Sequence, residues 1–162
     1  MGRNPTDTHD ISDRFLTYGY AAILTFLTLS GFGQMPIFKR YYIADIPGLG
    51  WLAKFFITHY IHYLGAILLL VFFAYWVVQY LLVKRNRIEI TRSGYLRAAM
   101  LGGILISGGF MVFRNLDGVW LPPGFIILLN LVHLGLVMMF LATAFYCLIS
   151  KKTWTRVPST NM

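Results

Sequence analysis

The chain has 162 residues, of which 57% are hydrophobic and only 12% are charged. A soluble domain carries roughly 25% charged residues, so this composition excludes a surface that faces water on all sides and predicts that lipid is part of the solvent. The net charge of +8 fits the enrichment of lysine and arginine in the cytoplasmic loops of membrane proteins, and we expect no nucleic-acid partner.

Four continuous apolar segments follow one another along the chain, at approximately residues 15–38, 55–83, 94–113 and 123–150. Each is long enough for a membrane-spanning helix, which needs about 20 mainly apolar residues. Continuous apolar runs, without alternation of apolar and polar residues, favour helices over the strands of a barrel. We therefore predict an all-α membrane protein in which residues 1–162 form a single domain, a bundle of four transmembrane helices.

The distribution of basic residues sets the expected orientation. Nine of the 14 lysines and arginines lie in the two terminal segments and between the second and third spans, and four lie in the other two loops. A tenth on the first side, Arg97, lies near the adjoining end of the third span, where a long side chain can snorkel to the surface. Because basic residues are enriched in cytoplasmic loops, we predict that both termini are cytoplasmic. The loops after the first and third spans then face outward.

Two short stretches resemble each other, TLSGFGQ near the end of the first span and LISGGFMVF near the end of the third. Small residues allow a second helix, or a flat cofactor, to approach a helix backbone closely. Both interpretations, helix packing and cofactor clearance, apply to the glycines in or near these stretches, which are Gly31, Gly102, Gly103, Gly108 and Gly109.

Three of the four histidines lie inside predicted spans. His59 and His62 are three residues apart in the first turns of the second span, so they share one face of that helix. With a rise of about 1.5 Å per residue, His62 lies about 10 Å and His133 about 15 Å from the start of their helices. Both helices are expected to start at the outer surface, so these histidines belong to the outer half of the membrane.

Histidines at this depth are functional candidates, because ionisable residues inside a bilayer are costly. No aspartate or glutamate lies in any predicted span, which disfavours a proton relay, and a zinc site would need a third or fourth ligand. Two neutral imidazoles on different helices suit the axial positions of a haem iron. We therefore predict haem b with His62 and His133 as its metal ligands. A buried histidine that only hydrogen-bonds a neighbouring helix remains the alternative for each.

The choice of His62 over His59 rests on the residues that follow. Gly65 and Ala66 come about one turn after His62 and leave room for a porphyrin, whereas His59 is flanked by bulky aromatic residues. His59 is expected near the haem propionates, or facing a partner or the haem of a neighbouring chain.

The anionic propionates of a haem require donors near the membrane surface. Arg114, at the outer end of the third span, is the best candidate in the sequence, and Lys54 is the second. Contact with lipid phosphate is the alternative for both side chains.

The order of these segments resembles the four-helix cytochrome b subunits that anchor bacterial formate dehydrogenases, nickel–iron hydrogenases and thiosulfate-reductase-like enzymes. The resemblance covers most of the chain. Four stretches carry it, DRFLTYGYAAILTFLTLSGF, HYLGA, SGGFMVFRN and NLVHLGLV. The first has an arginine ahead of the first helix and a Ser-Gly pair near the end of that helix. HYLGA and NLVHLGLV place histidines early in the second and fourth helices, and SGGFMVFRN is the glycine-containing end of the third.

The resemblance implies an electron conduit in the bacterial cytoplasmic membrane, between quinone and an iron–sulfur or cytochrome subunit on the outer face. By carry-over, His62 and His133 correspond to the ligands of the outer haem. The family usually holds an inner haem as well, but its ligand positions read Thr17 or Tyr18 and Cys147 here. We therefore expect one haem per chain.

Loss of the inner haem changes where quinone is expected, because the family binds it near that haem. Either a quinol site lies near the outer haem, or another subunit completes the path for electrons. Candidate contacts on the outer side are Gln34, Tyr41, Tyr42 and Trp120, with an interfacial aromatic belt as the alternative. The expected function is a non-catalytic membrane anchor and electron-transfer subunit of a quinone-linked respiratory oxidoreductase. The alternatives are a haem-free anchor that is structural or binds quinone, and a small histidine-lined transporter.

Overall fold

Four long helices make up most of the structure, a computed structural model that describes residues 5–35, 45–85 and 87–156, with side chains from Leu16 onwards. A 3-10 helix, Gly50–Ala53, precedes the second long helix, which continues into a π-helical turn, Tyr80–Lys84. Two short antiparallel strands, β1 (Glu89–Ile90) and β2 (Thr155–Arg156), pair with each other. In chain order the long helices are α1 (Pro5–Gly33), α2 (Phe55–Gln79), α3 (Arg92–Phe113) and α4 (Pro123–Ile149).

All four helices are long and apolar enough to cross a membrane, which confirms the predicted all-α architecture with four spans. The limits of α2 with its π-helical turn, of α3 and of α4 match the predicted spans closely. Local chemistry accounts for two of the starts. Thr91 caps α3 by accepting the Gly94 N–H at 3.0 Å, and Pro123 occupies the first position of α4, where a missing N–H costs nothing. The orientation of the termini stays a prediction.

The first helix differs from its predicted span at both ends. It begins at Pro5, about ten residues early, because helical backbone continues beyond the apolar segment Leu16–Gly33 that hydropathy detects. It ends at Gly33 instead of residue 38, and the following N–H groups of Gln34 and Met35 bond back three residues at 3.2 and 3.0 Å, which tightens and closes the last turn. Residues 36–44 lie outside the described part of the chain.

The chain divides into two compact units, Met1–Val78 and Gln79–Met162. In the first unit, α1 and α2 contact each other at positions where a glycine of one helix lies against a larger side chain of the other. A Cβ added at Gly19 would lie 3.2 Å from the ring of Phe72, and one added at Gly65 would lie 3.0 Å from Leu27. Glycine at these positions therefore lets the two helices approach each other.

A compact cluster closes the first pair at its loop end, where α1 finishes and α2 begins. Leu52, from the 3-10 helix, is 1% exposed. It lies against Gly33 at the end of α1, and Thr58 of α2 lies against the same glycine. Thr58 is fully buried, and its hydroxyl donates to the Phe55 carbonyl at 2.9 Å.

The second unit pairs α3 with α4 around a more continuous core. Gly103 of α3 receives Leu136 of α4, so that an added Cβ would lie 3.0 Å from that side chain. Other apolar side chains of these two helices are buried along most of their length, namely Met100, Leu101, Leu129, Phe140 and Cys147.

The end of this pair where α3 begins and α4 finishes is closed by the segment after α4, residues 151–156, which we call the C-terminal clasp. Its strand β2 pairs with β1, and Thr91 donates its N–H to the Trp154 carbonyl at 3.0 Å. Arg97, predicted to snorkel from α3, is only 5% exposed. Its guanidinium lies 4.2 Å from the centroid of the Trp154 ring and donates to the Lys152 carbonyl at 3.4 Å.

Candidate functional site

In the first unit, α1 holds the imidazole of His62 with two consecutive residues. The Ser30 hydroxyl lies 3.0 Å from His62 Nδ1. Gly31 lies against the next atom of the ring, since a Cβ added there would come within 3.3 Å of His62 Cε1. Ser30 is fully buried. We call Ser30, Gly31 and His62 the first histidine site.

His59 lies one turn nearer to the start of α2 and has a different setting. Its Nδ1 is 3.1 Å from the side-chain oxygen of Gln34, just beyond the end of α1. The ring stacks on Phe55 at a centroid distance of 5.3 Å and lies 4.3 Å from the centroid of Tyr63. The Gln34 amide donates to the Ser30 carbonyl at 3.4 Å, so hydrogen bonds connect the surroundings of His59 with those of His62.

In the second unit, α3 holds His133 of α4 in the same manner. The Ser107 hydroxyl lies 2.9 Å from His133 Nδ1, and a Cβ added at Gly108 would lie 3.4 Å from His133 Cε1. Ser107 is 5% exposed. We call Ser107, Gly108 and His133 the second histidine site.

Arg114 lies at the loop end of the second pair, directly after α3. Its guanidinium donates to the side-chain oxygen of Asn130 at 3.4 Å, and Asn130 is three residues before His133 on α4, hence on a similar face. The Nε–H of Arg114 is buried and has no hydrogen-bond partner among the residues that the structure describes. A buried donor of this kind normally has an acceptor, and an anionic group would provide one.

The glycines divide between the two uses that the sequence left open. Gly31 and Gly108 touch histidine rings, whereas Gly103 serves helix packing. Gly65, expected to border a cofactor, instead lies against Leu27 of α1, and its contact with a cofactor stays a prediction. Beside Gly102, nothing lies within 4 Å of an added Cβ.

The remaining predicted contacts have different outcomes. Tyr41 and Tyr42 lie outside the described residues. Trp120 is 79% exposed, Lys54 is exposed just ahead of α2, and Cys147 is a buried free thiol on α4. Quinone contact by Gln34 or Trp120 stays a prediction.

The two serines are residues that the sequence analysis did not identify as functional. Both serines belong to the repeated Ser-Gly pair, in which the glycines indicate close approach of a helix or cofactor and the serines have no distinguishing feature. A serine hydroxyl in a helix commonly donates to a carbonyl of the preceding turn, so the presence of serine in the sequence does not by itself indicate a histidine partner.

Among the described residues, no group of three or more His, Cys, Asp or Glu side chains is arranged to hold a metal ion. A site with two axial imidazoles needs fewer ligands and is left open. No protein-family model, no curated protein and no solved structure matches the chain.

Proposed function

We propose that this protein is a haem b-binding membrane anchor and electron-transfer subunit of a quinone-linked respiratory oxidoreductase in the bacterial cytoplasmic membrane. His62 and His133 would be the axial ligands. The observation that carries the proposal is that two histidines in membrane-spanning helices each have Nδ1 bonded to a buried serine hydroxyl. A histidine that ligates iron through Nε2 commonly donates its other ring N–H in this way.

The donor set supports a haem more than another cofactor. No acidic residue lies in the four candidate spans, so no carboxylate accompanies the imidazoles at this depth on α2 and α4. Neutral imidazoles suit haem iron, and the buried Nε–H of Arg114, which has no partner among the described residues, suits a propionate. When bound, the haem would supply one-electron transfer between a quinol and the next redox centre.

The chain's own residues would do the remaining work. Ser30 and Ser107 orient the rings, and the apolar helices exclude water from them. The iron–sulfur or cytochrome partner would bind at the outer face of the membrane.

Quinone would be contacted at the loop end of the first pair. His59 and Gln34 form a half-buried polar pair there, with the rings of Phe55 and Tyr63 beside the imidazole. Aromatic side chains with a small number of polar groups are typical of the lining of sites that bind small organic molecules.

A haem-free anchor is the second candidate, because one observation favours it. Each serine–histidine bond joins two helices, and polar bonds between helices stabilise membrane proteins by about 0.6 kcal/mol on average. Under this reading the histidines serve packing alone.

The test is a reduced-minus-oxidised spectrum of the purified full-length chain with a haem-to-protein ratio. We expect about one b-type haem per chain, lost in His62→Ala and in His133→Ala while membrane insertion is retained. His9→Ala, in the polar start of α1, is the matched control and should keep its haem. A ratio near two would refute the single-haem assignment, and a wild-type chain without a Soret band would favour the haem-free anchor.

A further inference from the structure

The two histidine sites have the same construction although they belong to different helix pairs. In each, a serine hydroxyl meets Nδ1 and the following glycine lies against Cε1 of the same ring. The serine hydroxyls lie 3.0 and 2.9 Å from Nδ1, and a β-carbon added at the glycine would lie 3.3 or 3.4 Å from Cε1. The same arrangement in both pairs indicates a shared requirement on the imidazole.

The first site determines which nitrogen of His62 carries the proton. The Ser30 hydroxyl lies 2.7 Å from the Phe26 carbonyl and 3.2 Å from the Leu27 carbonyl. Carbonyls only accept, so the single hydroxyl proton is directed to the preceding turn. The serine oxygen must then accept from His62 Nδ1–H, which puts the ring's lone pair on Nε2.

The second site leads to the same tautomer. The Ser107 hydroxyl lies 3.1 Å from the Ile104 carbonyl and donates to it. With its proton directed to that carbonyl, the serine oxygen is left to accept from His133 Nδ1–H at 2.9 Å. His133 is therefore protonated on Nδ1, with its lone pair on Nε2.

The glycines leave room for the ring edge between the two nitrogens. A β-carbon added at Gly31 would lie 3.3 Å from His62 Cε1, and one added at Gly108 would lie 3.4 Å from His133 Cε1. In both sites the serine hydroxyl contacts Nδ1, and the absence of a β-carbon on the next residue lets the ring lie close to the neighbouring helix.

His59 provides an internal comparison. It lies on the same helix as His62 and is bonded to Gln34 instead of a serine. Its neighbours are the aromatic rings of Phe55 and Tyr63. The serine–glycine construction thus accompanies the two proposed ligands and not the third histidine of the spans.

We propose that Ser30 and Ser107 are positioning residues which hold His62 and His133 as Nδ1–H tautomers, so that Nε2 of each imidazole carries the lone pair that would bind haem iron. This inference rests on the proposed function and assigns to the serines the task of setting ligand basicity. A hydroxyl that accepts from Nδ1–H makes the imidazole a stronger donor, which favours ferric over ferrous iron.

The first measurement requires no haem. In the full-length chain labelled with ¹⁵N-histidine and reconstituted in lipid, we expect His62 and His133 to give the signals of Nδ1–H imidazole. Ser30→Ala and Ser107→Ala should move their own histidine toward the Nε2–H tautomer, which an unconstrained imidazole prefers. Nε2–H signals in the wild type would overturn the proposal whether or not haem is bound.

The second measurement uses the haem-loaded chain. Ser30→Ala and Ser107→Ala should each weaken haem binding about 10- to 100-fold and raise the midpoint potential, by about 59 mV for each tenfold loss of preference for the ferric state. Ser30→Thr and Ser107→Thr keep the hydroxyl and should restore both properties.

The matched control is Thr28→Ala, which removes a hydroxyl bonded to the Leu24 carbonyl on α1 at 2.7 Å. It should leave the haem affinity and the potential unchanged. If the serine variants behave like this control while the wild type carries haem, the positioning role is wrong and the proposed function stands. If the wild type carries no haem, the proposed function fails, and the tautomer measurement decides separately whether the serines hold the rings.

Discussion

Each helix pair, α1–α2 and α3–α4, holds a histidine against a serine and glycine of the neighbouring helix. The two pairs are nevertheless stabilised differently. In the first, the most deeply buried side chains are concentrated at the loop end, where Ser30, Leu52 and Thr58 are at most 1% exposed. In the second, burial is spread from Arg97 near the start of α3 to Ser107. The first histidine site therefore depends on one local cluster, and the second on a whole helix interface.

The ends of the second pair extend this contrast. The C-terminal clasp joins the start of α3 to the end of α4, and the Arg114–Asn130 bond joins the same helices at their loop end. In the first unit, the hydrogen bonds at the histidines join Ser30 to His62, and Gln34, beyond α1, to His59, and both lie at the loop end. We expect substitutions at a single point to have a larger effect on the first pair.

The largest expected effect is that of Leu52→Ala. Leu52 is 1% exposed and lies against Gly33 at the end of α1, so its loss leaves a cavity beside the first histidine site. Substitutions of this kind cost about 2–5 kcal/mol. Hydrogen exchange should rise in peptides covering residues 24–35 and 50–62 and remain unchanged in α3 and α4.

The control for this substitution is Leu64→Ala on α2, where the side chain is 50% exposed and no comparable cavity forms. Equal exchange in the two variants would show that the cluster at the loop end does not hold the first pair together.

The second prediction concerns the clasp. A Cβ at Gly94 would collide with the backbone carbonyl of Trp154 and lie 2.9 Å from the Ile90 side chain. Gly94→Ala should therefore destabilise the second pair by about 1–3 kcal/mol, the usual cost of overpacking. The free energy of unfolding in detergent, followed by circular dichroism, measures the change.

Gly102→Ala is the matched control on the same helix, since nothing lies within 4 Å of its added Cβ. Alanine favours helix over glycine by about 1 kcal/mol, so this variant should be as stable as the wild type or more stable. A Gly94→Ala chain as stable as Gly102→Ala would mean that the clasp does not close on α3.

The fold was largely predictable because hydropathy acts over whole segments. Spans of 18 to 30 residues with mean hydropathy from 1.2 to 2.5 leave little choice of secondary structure in lipid. The first helix was predicted least well, at both ends. Its polar start is helical beyond the apolar segment, and its end depends on a close contact of Gly33 with Leu52, which are far apart in sequence.

The histidines of the candidate site could be identified from the sequence, whereas the serines that hydrogen-bond to them could not. His62 and His133 stand out because imidazoles are rare in apolar spans, whereas Ser30 and Ser107 are indistinguishable in sequence from serines that bond only to their own helix. The position of Gly65 against Leu27 likewise depends on which helix packs on it. Pairing of helices is a tertiary property that composition and spacing do not contain.

The smallest expected effect concerns the ion pair at the edge of the clasp. Arg156 and Glu89 approach to 2.8 Å, but their side chains are 70% and 51% exposed, so water and salt screen the attraction. Glu89→Gln should therefore lower the free energy of unfolding of the second pair by only about 0.2–1 kcal/mol, and by less at high salt. Unfolding at low and high ionic strength tests this. A loss as large as that of Gly94→Ala would indicate that the clasp is held by its charges, whereas a loss near zero leaves strand pairing and the burial of Arg97 under Trp154 as the interactions that close the second pair.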